Sequence, residues 1–130
     1  MQNIWFTEFM MVGAGGFIGS GLRYTVAVNV ERLFPYSSFP YGTATVNFIG
    51  CFFIGYLAST LEVREMFEPA LKLFLLAGVL GGFTTFSAFS LENLMLLQNS
   101  KASIAALNIV VQVGTGLFAA WGGFQLAKVF

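Results

Sequence analysis

The chain has 130 residues, 57% hydrophobic and 9% charged, with six cationic and six anionic side chains and a formal net charge of zero. Its mean hydropathy is +0.79, and a typical soluble domain carries roughly 25% charged residues, so the composition is that of an integral membrane protein. At roughly 20 residues per span, it predicts a single all-α domain over 1–130 with four spans, at about 9–30, 42–61, 71–98 and 102–127, and no separate soluble domain. With neither histidine nor aspartate, no Ser-His-Asp triad or histidine metal site can be built, so an enzyme is not expected. A single cysteine, Cys51, excludes an intrachain disulfide and reads as a small packing residue. Nothing points to a nucleic-acid partner.

Met1 to Glu8 reads as a short amphipathic lead with an interfacial aromatic pair, Trp5 and Phe6. It lacks the basic start and small-residue cleavage site of a signal peptide. The first span is crowded with glycines, and Gly15 and Gly19 at i, i+4 make a face that another helix can approach closely. Arg23 lies in the same span, where a cation should face protein, water or a helix end; the alternative is snorkelling to the headgroups. Pro35 and Pro40, with Tyr36, Ser37 and Ser38 between them, mark a turn with interfacial aromatics.

The second span carries Asn47 beside Thr43 and Thr45. An amide in an apolar helix is either interhelical glue or a donor facing an anion path. The stretch from Glu62 to Pro69 is a charged, solvated connection.

The third span contains Gly81-Gly82-Phe-Thr-Thr-Phe-Ser-Ala-Phe-Ser90. Lipid offers no partner to an open amide or carbonyl. The glycine pair weakens the helix at its middle, while Thr84, Thr85, Ser87 and Ser90 supply hydroxyls that replace or compete for backbone bonds. The expectation is a helix broken near Gly81–Thr85. Backbone freed at membrane depth is tolerated only against protein or a water-filled path, where transporters and channels place ion sites. Glu92 and Asn93 follow. The fourth span carries Asn108, Gln112 and Thr115 at i, i+4, i+7, a spacing that sets all three on one face.

Loop charges are nearly balanced: Arg64, Lys72 and Lys128 on one side, Arg32 and Lys101, with Arg23, on the other. Lys/Arg asymmetry sets orientation, so this chain is expected to insert either way and to form an antiparallel homodimer.

Three motifs then carry a resemblance: Gly19-Ser-Gly-Leu-Arg-Tyr24, Tyr41-Gly-Thr-Ala-Thr-Val-Asn-Phe-Ile-Gly50 and the 81–90 stretch. Together they are similar to the signatures of the CrcB/Fluc fluoride channels over essentially the whole chain. The resemblance implies a dual-topology homodimer in a bacterial inner membrane, in contact with lipid. It implies passive export of fluoride, protecting against its toxicity, through two pores, with one structural sodium ion on the symmetry axis. By carry-over, Gly81 and Thr84 offer backbone carbonyls to sodium, Phe86 and Phe89 are pore phenylalanines, and Asn47 is the pore amide. Asn108 and Gln112 stand where relatives often have hydroxyl or aromatic residues.

The chemistry of these residues is consistent with that role. A tightly hydrated anion needs donors that replace its water without trapping it. The hydroxyls of Thr85, Ser87 and Ser90, the amides of Asn47, Asn108 and Gln112, and the positive edges of Phe86 and Phe89 are all neutral. Spacing alone favours core packing for the two phenylalanines. Two other classes stay open: a small multidrug-type transporter, which needs an intramembrane carboxylate and has only Glu92, and a scaffold whose glycines and amides serve assembly alone.

Overall fold

Apart from a break in the third, each long apolar run is helical and closes its backbone hydrogen bonds internally, as lipid demands. The computed structural model describes residues 3–64 and 67–130. Helix α1 covers Ile4–Leu33 and α2 covers Tyr41–Arg64. A third helical run, α3, covers 69–83, followed after a break by α4 over Phe86–Gln98 and by α5 over Ala102–Val129. No strand occurs among the described residues. The charged connection predicted around Glu62–Pro69 includes Glu65 and Met66, which lie outside the described residues, as do Met1 and Gln2.

By length and composition Tyr41–Glu62, Pro69–Gln98 and Ala102–Val129 can each cross a membrane. At 30 residues α1 is long enough, but its glycines and Arg23 lower its hydropathy. The lead expected over Met1–Glu8 is not a separate element: from Ile4 onward it is the first turn of α1. Trp5 stays exposed there and meets the Phe6 ring edge-on at 5.9 Å.

Glycines decide how the helices pair. A Cβ on Gly15 would overlap the Phe74 carbonyl and stand 2.9 Å from the Gly78 Cα, while one on Gly19 would overlap the Val79 carbonyl. The expected small-residue face of α1 is thus pressed onto the backbone of α3. Likewise α2 and α5 run side by side in the same direction, with Gly55 against the Ala120 carbonyl and Gly123 against the Phe52 carbonyl. The buried stripe of α5 runs Asn108, Gln112, Gly116, Ala119, Gly123, Ala127. Thr115, expected on that face, is instead exposed and bonds back to the Val111 carbonyl at 2.6 Å. The stripe drifts away from i+7 because the helix has 3.6 residues per turn.

Within α3, Leu73–Leu80 is wound as a π-helix. Such widened turns are rare and recur at functional sites. The Gly81 amide at its end reaches back to the Leu76 and Gly78 carbonyls. Short turns join the remaining helices: Phe34 stacks on Tyr41 at 4.2 Å across the Pro35–Pro40 turn, and the Lys101 amide closes α4 on the Leu96 carbonyl at 2.8 Å.

Because the obstacle at Gly19 is backbone rather than a movable side chain, Gly19→Val is expected to cost at least about 1–3 kcal/mol by overpacking. Gly122, where an added Cβ meets nothing within 4 Å, is the control, and Gly122→Ala should change stability by no more than about 1 kcal/mol. Thermal denaturation of the purified protein in detergent measures both.

Candidate functional site

The site is built on the break between α3 and α4. It falls at Thr84–Thr85, not at the glycine pair: Gly81 is helical at φ −63°, ψ −36°, whereas Thr84 (φ −81°, ψ 157°) and Thr85 (φ −149°, ψ 117°) are extended. Hydroxyl chemistry accounts for the position. Thr84 satisfies the Leu80 carbonyl twice, by its amide at 3.0 Å and its Oγ1 at 3.1 Å. Thr85 then acts as N-cap of α4, its Oγ1 accepting from the Ala88 amide at 3.2 Å. Gly82 serves close approach, since a Cβ there would stand 2.8 Å from the Gly16 carbonyl. Gly81 has no such constraint within the chain, its nearest obstacle being the Leu76 carbonyl at 3.6 Å.

The two extended residues are held from α2. Asn47 accepts from the Thr85 amide at 2.9 Å and donates to the Thr85 carbonyl at 3.1 Å, so one side chain replaces the partners a continuous helix would provide. The same carboxamide donates to Gln112 Oε1 at 2.8 Å, Gln112 donates to Asn108 Oδ1 at 2.8 Å, and Asn108 donates to Asn93 Oδ1 at 3.0 Å. Asn93 ends the series on the Phe89 carbonyl at 2.8 Å. Asn93, Asn108 and Gln112 are buried.

A recess of about 200 Å³ opens beside the break, lined among others by Asn47, Thr84, Thr85, Phe86, Phe89 and Gln112. Phe86 is 78% exposed, and its ring centroid lies 5.5 Å from that of Phe89 at 39°. Most of the expected site residues therefore converge. Three of the expected pore residues do not line this recess. Asn108 is fully buried behind Gln112, Ser87 is exposed with its Oγ 3.1 Å from Thr85 Oγ1, and Ser90 is exposed. Arg23 is half-buried and lines a neighbouring recess with Ser20, Tyr24, Thr43 and Thr85.

Glu92 lies further along α4, its Oε1 accepting from Thr43 Oγ1 at 2.5 Å and its Oε2 enclosed without a partner among the described residues. It borders two further recesses, one shared with Glu31 and Arg32, the other with Ser38 and Lys101. On the first of these Glu31 accepts from the Gly42 amide at 2.7 Å. Sequence reasoning missed Asn93 as a member of the site. The available signal was its fifteen-residue separation from Asn108 across a tight antiparallel turn, which brings the two amides level.

No group of three or more His, Cys, Asp or Glu side chains that could hold a metal occurs among the described residues. Backbone oxygen is available instead. In a continuous helix the Thr85 and Ala88 amides would serve the Gly81 and Thr84 carbonyls, but here they are bound to Asn47 and to Thr85 Oγ1. Two carbonyls at the break have therefore lost their helical donors, and unwound carbonyls are the donor type that suits an alkali cation.

If Asn47 holds the break, Asn47→Leu leaves the Thr85 amide and carbonyl and Gln112 Oε1 without partners, each at about 1–3 kcal/mol. Thr85→Val removes one cap, at about 1 kcal/mol. Thermal denaturation should therefore rank Asn47→Leu well below Thr85→Val, with wild type highest.

The arrangement can be set beside known proteins. Residues 10–124 match the family described as CrcB-like protein, Camphor Resistance (CrcB). A protein of Elusimicrobium minutum named fluoride-specific ion channel FluC is 43% identical over 122 residues, covering 94% of each chain. One of the same name from Campylobacter jejuni (strain 81-176) is 47% identical over 119 residues, 92% of this chain and 96% of that one. One from Methylobacillus flagellatus is 43% identical over 122 residues. With the family match and these relatives running through all the helices and the break, the chain belongs to the CrcB-like family.

Proposed function

We propose that this protein is a fluoride-selective channel that lets cytoplasmic fluoride leave passively down its gradient. The observation that carries the reading is the break at Thr84–Thr85, stitched by Asn47 and opening beside Phe86 and Phe89. The naming of relatives that share 43–47% of its residues supports fluoride as the ion. A fluoride ion must exchange its water for donors that bind without trapping it, and neutral amides, hydroxyls and ring edges meet that demand where a fixed lysine would not. The multidrug-type alternative loses ground because the relatives bear the fluoride-channel name and its only candidate carboxylate, Glu92, has one oxygen taken by Thr43 and does not line the recess at the break.

The working unit in this reading is two antiparallel copies in the inner membrane of a bacterium, supported by the balanced loop charges. Phe86, 78% exposed in the single chain, gains a partner surface in such a dimer. A structural sodium ion at the dimer axis fits the Gly81 and Thr84 carbonyls, which have lost their helical donors. Two carbonyls per chain become four when the second copy contributes its own. When bound, the ion supplies fixed positive charge near the anion paths.

Reconstitution into liposomes tests the proposal. Fluoride-loaded vesicles containing the protein should empty rapidly, and chloride-loaded ones should not. Phe86→Ile and Phe89→Ile keep bulk but remove the ring quadrupole, so each should slow fluoride efflux by about tenfold or more per assembled dimer, a barrier increase of about 1.4 kcal/mol. Wild-type efflux in both variants would return these rings to a packing role. Absence of fluoride efflux from the wild-type protein would refute the function.

A further inference from the structure

The amides around the break form one directed hydrogen-bond series whose two ends are set by backbone. At one end the Thr85 amide can only donate, so it turns the Asn47 oxygen toward itself. The nitrogen of Asn47 then faces away, and both of its hydrogens are taken, by the Thr85 carbonyl and by Gln112 Oε1. At the other end the Phe89 carbonyl can only accept, so it takes the Asn93 nitrogen and leaves the Asn93 oxygen to receive Asn108. Between these fixed points every carboxamide has its oxygen toward Thr85's end of the series and its nitrogen toward Phe89's.

This direction has a consequence for the donor that a permeating anion meets. Asn47 has no hydrogen left to offer. Gln112 uses one of its two N–H groups on Asn108 Oδ1 and lines the recess beside Phe86 and Phe89. We propose that Gln112, held in orientation from behind by Asn108 and Asn93, is the amide that presents an N–H to the anion, while Asn47 is committed to holding the helix break. Asn93 is then a positioning residue that acts through two others and never touches the ion. The proposal rests on the channel reading and refines it. Turning any one carboxamide over would set oxygen against oxygen and nitrogen against nitrogen along the series, so the orientation at Gln112 depends on anchorage at Asn93.

The test compares Gln112→Leu, Asn93→Ser and the double variant in liposomes, reading fluoride flux per assembled dimer and fluoride-over-chloride selectivity in planar bilayers. Serine at 93 can still bond back to the Phe89 carbonyl but is too short to reach Asn108, so the helix is spared while the orientation is released. Gln112→Leu should lower flux about tenfold, the order expected for one hydrogen bond to an ion. Asn93→Ser should lower flux in the same direction and erode selectivity, and the double variant should be no slower than Gln112→Leu alone. A purely structural Asn93 would instead reduce the amount of assembled dimer without changing selectivity, and its effect would multiply with that of Gln112→Leu. Either of those results, or wild-type flux in Gln112→Leu, overturns the proposal. Wild-type protein that carries no fluoride would refute the channel itself, so the two failures are distinguishable.

Discussion

Two hydrogen bonds, one that Asn47 accepts from the Thr85 amide at 2.9 Å and one that it donates to the Thr85 carbonyl at 3.1 Å, allow this chain to carry extended backbone at membrane depth. In hydrocarbon an open amide or carbonyl costs several kcal/mol, and a break without a substitute partner would anneal into continuous helix. Here Asn47 supplies both a donor and an acceptor in one planar group, matching the peptide it faces. The Thr85 hydroxyl then starts the next helix, and a recess is left beside two phenylalanines.

Holding that side chain at hydrogen-bonding distance depends on the helices that carry it. Asn47 sits on α2, whose register against α5 is fixed where Gly55 meets the Ala120 carbonyl and Gly123 meets the Phe52 carbonyl. Both approaches are backbone to backbone, without a compliant side chain between. The same offset that seats Gly55 on Ala120 sets Asn47 level with Gln112. On the other side α1 clasps the π-helical part of α3 through Gly15 and Gly19. In lipid, where apolar burial gives little drive for association, such close approach and interhelical hydrogen bonds do that work. The polar series from Asn47 to Asn93 is therefore a cross-brace of the bundle, and its Asn47–Gln112 end lines the recess.

Much of this was legible in the sequence for physical reasons. Apolar runs of membrane length, Gly15 and Gly19 one turn apart, and a cluster of hydroxyls in the third run dictate helices, close packing and a break. Helix ends moved by a few residues, as expected when only hydrophobicity marks them. What the sequence misplaced turned on local competition. Gly81-Gly82 reads as the weak point, yet both residues are helical, because glycine permits a break while the threonine hydroxyls induce one by satisfying Leu80 and Ala88. Thr115 left the polar stripe because seven residues fall short of two turns of a 3.6-residue helix, and its hydroxyl, turned outward, bonds to its own helix. The π-helical turns over Leu73–Leu80 leave no signature in a uniformly apolar run. Asn93 was passed over because its fifteen-residue separation from Asn108 marks a pair only when combined with the tightness of the 99–101 turn.

The central claim is that a side chain of α2, not the helix itself, satisfies the backbone at the break, and amide hydrogen exchange at Thr85 tests it most directly. In 15N-labelled protein the Thr85 amide, outside any helix, should exchange as slowly as neighbouring helical amides. In Asn47→Ser it should exchange at least about tenfold faster, the loss expected for one hydrogen bond, with the Phe83 amide unchanged. A Thr85 amide that exchanges freely in the wild-type protein, or one equally protected in Asn47→Ser, would contradict it.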